Sequence, residues 1–191
     1  MKIIFASHNH KKTEEIRSLL PENLSLINLH DLGQTEAIPE EEPTIEGNSA
    51  FKANWVFEKY GLPCFADDTG LEVFALNGEP GVHSARYAGE GRSDAANMQK
   101  LQLNLAPHQD RRAQFKTVIT YRSENGIQQF TGIVSGEIAQ VAKGNQGFGY
   151  DPIFCPEGLS RTFAEMDLSE KNKYSHRARA LSKLLSFLSQ Q

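Results

Sequence analysis

Several features that would place this 191-residue chain in a specialised class of protein are scarce or missing. Its two cysteines, Cys64 and Cys155, lack CxxC spacing, which argues against both a disulfide framework and a zinc site. The apolar run at residues 3–6 is far shorter than a signal-peptide core or a membrane span. These absences predict a protein of the reducing cytoplasm with no membrane partner.

An excess of positive charge is also missing. The chain has 20 lysines and arginines against 24 acidic residues, a net charge of -4. Because nonspecific nucleic-acid binding depends on a basic surface, no nucleic-acid partner is expected. The hydrophobic content of 39% is enough for a buried core, and no repeat, linker or low-complexity segment divides the chain. We therefore expect a single domain over residues 1–191.

Hydrophobic periodicity predicts a mixture of strands and helices. Short apolar or alternating runs predict strands at residues 2–6, 24–29, 64–66, 71–75, 114–122 and 128–139. Apolar residues at helical spacing predict helices at residues 11–20, 48–60 and 94–105, and a last helix capped by Ser175. The Asn125-Gly126 pair favours a hairpin between the last two strands. This mixture predicts an α/β fold with a mixed sheet.

Polar residues between the first predicted strand and helix form a candidate phosphate site. Backbone N–H groups at a helix N-terminus attract anions, and a lysine one turn into the helix adds positive charge. Asn9 is expected either to hold the turn or to donate to a phosphate oxygen. An ordinary capped helix with solvated lysines would show the same pattern, so this segment alone leaves both interpretations open. The candidate residues are Ser7, His8, Asn9, His10, Lys11 and Lys12.

Acidic residues in two separate stretches form a candidate Mg²⁺ site. One stretch contains Glu40, Glu41 and Glu42, and the other is Asp67-Asp68, predicted at a strand end. Mg²⁺ is usually held by one or two carboxylates together with water and substrate phosphates. Neighbouring strand residues point to opposite faces, so we expect Asp68 in the cleft and Asp67 at the turn. A solvated acidic loop explains the glutamates equally well.

A glycine-rich, aromatic stretch at residues 144–152, here called the glycine loop, is a candidate nucleoside site. Its glycines let the backbone approach a ligand, and Phe148 offers a flat apolar face on which a purine can stack. Asp151 precedes a proline, which favours an extended backbone that presents its carboxylate or backbone outward. The alternative is a plain loop whose two aromatic residues, Phe148 and Tyr150, lie in the core.

Positive residues cluster at the predicted start of the last helix. Lys171, Lys173, His176 and Arg177 surround the capping residue Ser175. Positive charge at a helix N-terminus opposes the helix dipole, so an anionic or oxygen-rich ligand would explain the cluster better than stability does. The cost is small, and an accident of the surface is the alternative.

These segments together resemble the inosine triphosphate pyrophosphatase family of house-cleaning nucleoside triphosphate pyrophosphatases. The matching stretches run in order over almost the whole chain: ASHNHKK, TIEGNSAFKA, FADDTGLEVFALNGEPGVHSARYAG, GFGYDPIF and EKNKYSHRARAL. The resemblance implies an elongated mixed β-sheet flanked by helices, with two lobes, the active site in the cleft between them, and a homodimer. It also implies hydrolysis of ITP, dITP and XTP to the monophosphate and pyrophosphate.

The resemblance further implies a role for each candidate residue. Residues 7–12 would bind phosphate, Glu40 and Asp68 would hold Mg²⁺, and Asp68 would accept the proton. Thr69 would contact the substrate, and Lys52 and Arg86 would be auxiliary cations of the cleft. The residues that would line the nucleotide and base pocket are Phe148, Gly149, Tyr150, Asp151, Lys171, His176 and Arg177.

This sequence departs from the family pattern at two places. Gly47 stands where many relatives have an acid, so the choice of Glu40 depends on counting through a variable loop, with Glu41 or Glu46 as the next candidates. His8 and His10 stand where smaller residues are common, although Asn9 and Lys12 keep their places.

Two other functions remain open at this point. A pyrophosphatase acting on modified pyrimidine nucleotides would have a similar architecture and would be separated by its substrate profile. A nucleotide-binding regulator without turnover would bind nucleotide with Mg²⁺ but release no product.

Overall fold

The computed structural model describes residues 2–190, in which seven strands join one mixed sheet. The strands are β1 (Lys2–Phe5), β2 (Ser25–Asn28), β3 (Cys64–Val73), β4 (Pro80–Gly81), β5 (Arg112–Ser123), β6 (Gly126–Ile138) and β7 (Phe154–Pro156). The helices are α1 (His10–Arg17), α2 (Ile45–Tyr60), α3 (Asp94–Leu105), α4 (Leu168–Tyr174) and α5 (His176–Leu188). Short 3-10 turns lie at Phe74–Leu76, Ser84–Arg86, Asp151–Ile153 and Phe163–Glu165.

The strand order is β2-β1-β3-β5-β6-β7, with β4 paired to β3. β1 pairs in parallel with β2 and with β3, whereas β4 and β7 pair antiparallel with β3 and β6. The α/β class and the mixed sheet expected from the sequence are therefore confirmed. None of the helices in the described part of the chain has the length and apolar character required to cross a membrane.

The chain divides into two compact units. The first unit contains residues 2–68, 117–132 and 177–190, and the second contains residues 69–116 and 133–176. Two pairs of sequence neighbours among the candidate residues, Asp68 with Thr69 and His176 with Arg177, are split between the units. The single domain expected from the sequence stays a prediction.

The first unit buries both faces of β1. Ile3 and Phe5 pack in one cluster with residues of α1 and α5, and Ile4 and Ala6 pack in another with residues of α2. Alternate strand residues point to opposite faces, so a continuous apolar run is what a doubly covered strand requires. As a result, α1 and α5 lie on one face of the strand and α2 lies on the other.

The second unit has an aromatic core. Phe115, Phe154 and Phe163 pack against one another, with ring centroids 4.7 to 6.3 Å apart. Leu101 and Leu105 attach α3 to the same core. The bounds predicted for α3 are those observed, because Ser93 caps the helix by accepting a hydrogen bond from Ala96 N.

Helix α1 ends at Arg17 rather than at residue 20, and two further wrong boundaries bear on the candidate site. Residues 64–66 and 71–75 are not separate strands, because β3 runs without interruption through Asp67 and Asp68 and pairs at its far end with β4. Helix α2 begins at Ile45 rather than at residue 48, because Thr44 Oγ1 accepts a hydrogen bond from Gly47 N at 3.0 Å. A Cβ on Gly47 would lie 2.9 Å from Glu42 Cβ, so this chain's loop requires the glycine that departs from the family pattern.

Candidate active site

The loop between β1 and α1 begins where β1 and β3 run side by side. Phe5 pairs with Phe65, and Ala6 N donates to Phe65 O at 2.8 Å, so the parallel register brings the loop next to Asp67. Asn9 caps α1, because its Oδ1 accepts from Lys12 N at 3.2 Å, while Asn9 N donates to Ser7 Oγ at 3.2 Å. Asn9 was expected either to hold the turn or to donate to a phosphate oxygen. Its side-chain oxygen holds the turn.

Three imidazoles lie together beside this loop. The rings of His10 and His30 stack at 4.9 Å with their planes 6° apart, and His8 meets His30 edge-on at 5.5 Å. His8 Nε2 lies 2.9 Å from Gln34 O, which ties the loop to the segment after β2. His8 and His10, the two histidines that depart from the family pattern, therefore pack with His30. His10 and Lys11 are exposed.

Asp67 is the centre of a buried charge network made of Lys12, Glu15, Asp67 and Arg177. Lys12 Nζ lies 3.0 Å from Asp67 Oδ1, and Arg177 Nε donates to Asp67 Oδ2 at 2.9 Å. Arg177 NH1 donates to Glu15 Oε2. Although burial would raise the pKa of Asp67, the charges of Lys12 and Arg177 hold it well below its usual range. The network is thus charged and balanced, and it fixes the Lys12 ammonium at the loop.

The prediction that Lys171 and Lys173 lie at the start of the last helix and oppose its dipole was wrong. Lys171 and Lys173 lie in the last turn of α4, where positive charge agrees with the helix dipole. Arg177 does lie in the first turn of α5, but the residue is 1% exposed and its guanidinium pairs with two carboxylates inside the first unit. Neither position requires a ligand to account for its charge.

Asp68 and Glu40 converge on the buried ammonium of Lys52. Lys52 Nζ lies 2.8 Å from Glu40 Oε1 and 3.2 Å from Asp68 Oδ1. Burial would lower the pKa of Lys52, but Asp68 and Glu40 outweigh this effect and raise it. Burial also raises the pKa of Asp68, against the opposing effect of Lys52 and Lys12. Asp68 is therefore a carboxylate with more basic character than one at the surface.

Asp67 and Asp68 use different partners, as the alternation along a strand predicts. Asp67 pairs with residues of α1 and α5, and Asp68 pairs with a residue of α2. The prediction that Asp67 holds a turn was wrong, because both residues lie inside β3. Two adjacent aspartates can be buried within β3 because each carboxylate pairs with a lysine or an arginine.

The carboxylates of Glu40 and Asp68, here called the carboxylate pair, fit a hard divalent cation. Their oxygens approach one nitrogen within 3.2 Å, so two distant stretches of sequence supply carboxylate ligands to the same place. Glu41 is exposed, and the structure favours Glu40 over it. Among residues 2–190, no cluster of three or more His, Cys, Asp or Glu side chains is arranged to hold a metal. Two carboxylates completed by water and phosphates is the arrangement typical of Mg²⁺.

The glycine loop in the second unit folds around the carboxylate of Asp151. Asp151 Oδ2 accepts from Phe148 N at 2.9 Å and from Lys171 Nζ at 2.6 Å. A Cβ on Gly147 would lie 2.1 Å from the same oxygen, so only glycine fits there. The prediction that Asp151 points outward was wrong: it is 2% exposed and begins a 3-10 turn, because the buried ammonium of Lys171 draws it inward.

The two aromatic residues of the glycine loop have different environments. Tyr150 is buried, and its hydroxyl donates to Ser84 O at 2.9 Å, as the alternative of a core residue predicted. Phe148 is half-buried, with Lys171 Nζ 5.1 Å from its ring centre. Because Phe148 is only half-buried whereas Tyr150 is buried, Phe148 is the aromatic group of this loop that a ligand can reach.

The other candidate residues of the second unit are buried or half-buried. His176 is 3% exposed and stacks on Phe115 with ring centroids 4.7 Å apart. Thr69 follows Asp68 within β3, and Arg86 ends the 3-10 turn Ser84–Arg86; both are half-buried. The structure thus groups Lys12, Lys52, Glu40, Asp68 and Arg177 in the first unit, and Thr69, Arg86, Lys171, His176 and residues 148–151 in the second.

Sequence reasoning missed Glu15, the fourth member of the charge network. Glu15 is 5% exposed although it lies in a helix of mostly polar residues. Its spacing of three residues from Lys12 is a weak signal for a shared helix face. The contact with Arg177, 162 residues away, has no counterpart in the sequence pattern.

Comparisons with known proteins agree with this fold. A family model described as the Ham1 family matches residues 3–187. A protein named dITP/XTP pyrophosphatase from Flavobacterium psychrophilum is 54% identical over 187 residues, which cover 98% of each chain. One of the same name from Porphyromonas gingivalis is 49% identical, with 98% of this chain and 97% of the relative covered.

Solved structures show the same fold. A Ham1 protein from Staphylococcus aureus superposes with a TM-score of 0.90 at 41% identity, covering 99% of this chain and 98% of that one. A HAM1 protein from Coxiella burnetii gives a TM-score of 0.91 at 38% identity, with both chains fully covered. With a family model over almost its whole length and relatives at about half identity, this chain belongs to the Ham1 family.

Proposed function

We propose that the chain hydrolyses non-standard purine nucleoside triphosphates, namely ITP, dITP and XTP, to the nucleoside monophosphate and pyrophosphate. The relatives named dITP/XTP pyrophosphatase support this proposal, because they match almost the whole chain at 49 to 54% identity. The observation that carries it is the convergence of Glu40 and Asp68 on Lys52, with the Lys12 ammonium held by the neighbouring Asp67.

The first unit is proposed to handle the triphosphate. Glu40 and Asp68 are the residues that would hold Mg²⁺, whose chemistry in such sites is to neutralise phosphate charge and activate water. Lys12, together with polar side chains of the loop at residues 7–12, would bind the pyrophosphate end. Lys12 is suited to this because Asp67 fixes its side chain without removing its charge.

Asp68 is proposed to accept the proton of the attacking water. A bond forms between the water oxygen and the α-phosphorus, the bond from that phosphorus to the bridging oxygen breaks, and pyrophosphate leaves as one unit. The raised pKa of Asp68, caused by its burial, makes it a better proton acceptor than an exposed aspartate. Lys52 touches the same carboxylate and would orient it during the transfer.

The second unit is proposed to bind the base. Phe148 offers a stacking face, and Lys171 Nζ lies 5.1 Å from its ring centre. His176 stacks on Phe115 in the same unit. Hypoxanthine and xanthine carry an oxygen at the 6-position, which a hydrogen-bond donor can meet, whereas the amino group of adenine leaves such a donor unpaired. Arg177 was expected to share this task; the structure gives its Nε and NH1 to Asp67 and Glu15, and we propose that it acts mainly through that network.

The assembly is proposed from the family resemblance alone, and the compartment from the cysteine pattern, which lacks CxxC spacing. We expect a homodimer acting in the cytoplasm. Sedimentation equilibrium of the purified chain tests the first expectation, since a monomer at micromolar concentration would contradict it.

Product analysis with defined nucleotides tests the proposed function. The protein is incubated with ITP, XTP, dITP, GTP or ATP in the presence of Mg²⁺, and pyrophosphate and orthophosphate are measured separately. We expect pyrophosphate from ITP, XTP and dITP and little reaction with ATP. Release of orthophosphate would contradict the mechanism, equal use of ATP would contradict the base assignment, and turnover of modified pyrimidine nucleotides alone would support the pyrimidine alternative. Nucleotide binding without any product would support a regulator.

A further inference from the structure

The start of α3 is hydrogen-bonded to the glycine loop. Asp94, the first residue of α3, accepts a hydrogen bond on Oδ2 from Gly149 N at 2.8 Å. The two residues are 55 positions apart in the sequence, and both belong to the second unit. An acid in the first turn of a helix is normally explained by the helix dipole, so this contact gives Asp94 a second role.

The loop that Asp94 contacts depends on backbone conformations that glycine favours. Gly147 and Gly149 have φ angles of 73° and 63°, in the left-handed region that glycine adopts without strain. Residues 141–147 are exposed, and Phe148 and Gly149 are half-buried. Since glycine loses more backbone freedom on ordering than any other residue, such a segment keeps one shape only where contacts hold it.

Contacts on two sides hold this segment. On one side, the buried pair of Asp151 and Lys171 fixes the backbone through Phe148 N. On the other side, Asp94 fixes Gly149 N. The peptide groups of both Phe148 and Gly149 are thus bonded to carboxylates, and the ring between these two contacts is that of Phe148.

Asp94 lies on an element that is itself rigid. Leu101 and Leu105 anchor α3 in the aromatic core of the second unit. Asn97, one turn after Asp94, accepts from Ala88 N at 2.7 Å and donates to Ala85 O at 3.1 Å. A carboxylate on such a helix can restrict the loop that it contacts, because the helix does not follow the loop when it moves.

We propose that Asp94 is a positioning residue of the nucleoside pocket, which holds the Phe148-Gly149 segment in the shape that presents the Phe148 ring to the base. This inference rests on the proposed function, since it assigns Phe148 to base stacking. Asp94 acts through the loop and does not contact the substrate. Its loss lets the loop sample other shapes, so the base must order the loop when it binds.

Three variants separate the hydrogen bond from the stability of the helix. Asp94→Ala removes the acceptor and the dipole charge, and Asp94→Asn removes the charge but retains an acceptor oxygen for Gly149 N. Ser93→Ala is the matched control, because it removes the cap of α3 and leaves the contact with Gly149 in place. Each variant is compared with the wild type in amide hydrogen–deuterium exchange and in steady-state ITP hydrolysis.

Asp94→Ala should speed amide exchange of the peptide containing Gly149 and raise KM for ITP roughly 5- to 20-fold, with kcat within about twofold, the size of effect of about one hydrogen bond. Asp94→Asn should restore most of both properties, and Ser93→Ala should leave both near the wild type. Unchanged exchange in Asp94→Ala would overturn the inference. So would faster exchange with an unchanged KM, or equal effects in Ser93→Ala. Failure of the wild type to cleave ITP would instead refute the proposed function, while exchange would still report on the contact.

Discussion

The candidate residues of the first unit are held by buried charges, whereas those of the second unit are held by an aromatic core with one buried ion pair. In the first unit, Asp67 and Asp68 are surrounded by Lys12, Lys52 and Arg177. In the second, Phe148 lies on a loop tied down by Asp151 and Lys171 next to packed phenylalanines. The two units therefore provide different chemistry.

This difference shows how each kind of site is preorganised. Charged groups that must meet a triphosphate are fixed by opposite charges of the protein, so removing one partner leaves another charge buried and uncompensated. An apolar stacking face needs only a defined loop shape, so removing it costs contact with the ligand but little else. We expect variants in the first unit to impair chemistry or folding, and variants in the second to change binding of the base.

The largest effect is expected at Asp68. Asp68→Asn keeps the shape of the side chain and loses the proton acceptor, so kcat for ITP should fall by about 10²- to 10⁴-fold. Nucleotide binding should largely survive, as measured by calorimetry with ITP. Asp110→Asn removes a surface carboxylate that pairs with Arg112, and it should leave turnover unchanged. A near-normal rate in Asp68→Asn would rule out Asp68 as the base.

Arg177 tests the charge network through stability. Arg177→Leu leaves the buried carboxylates of Asp67 and Glu15 without their guanidinium partner, and the free energy of unfolding should fall by about 3–5 kcal/mol. The matched control is Arg17→Leu, because Arg17 is half-exposed and lies 3.8 Å from Asp31 at the surface. That change should stay within about 0.5 kcal/mol. Urea denaturation of both variants measures the difference, and equal losses would contradict the network's role.

Phe148 tests the apolar side of the comparison. Phe148→Ala should raise KM for ITP by roughly 5- to 150-fold, which corresponds to about 1–3 kcal/mol of base stacking, while kcat changes little. Phe74→Ala removes an exposed phenylalanine of the second unit and serves as the control. If both variants bind ITP as the wild type does, the base does not stack on Phe148.

The smallest effect compares one cysteine from each unit. Burial raises the pKa of the Cys64 thiol to about 12, and Cys64 is fully buried. Cys155 also has a raised pKa because of burial, but it is partly exposed. Iodoacetamide at pH 8 should therefore modify Cys155 first, as followed by peptide mass spectrometry. Faster modification of Cys64 would show that the first unit opens more readily than the second.

Much of the fold follows from local sequence signals. The apolar run of β1, the cap at Ser93 and the Asn125-Gly126 turn each act within a few residues, and the observed elements agree with them. The continuity of β3 was not predicted, because two adjacent acids argue for a break unless distant cations neutralise them. The missing information was the tertiary pairing with Lys12, Lys52 and Arg177.

The candidate site shows the same limit. Motif order identified Glu40 and Asp68 together, but only the folded chain brings both to Lys52. The inward turn of Asp151 was missed because the conformational preference of a residue before proline is weaker than an ion pair with Lys171. The contact of Asp94 with Gly149 was missed because the helix dipole already explains an acidic residue in the first turn of α3, without any distant partner.

The position of water attack tests the central claim most directly. ITP is hydrolysed with Mg²⁺ in ¹⁸O-labelled water, and the two products are separated and analysed by mass spectrometry. Attack on the α-phosphorus, with pyrophosphate leaving as one unit, places the label in inosine monophosphate and none in pyrophosphate. Label in pyrophosphate, or formation of labelled orthophosphate, would contradict the mechanism assigned to Asp68 and Lys12.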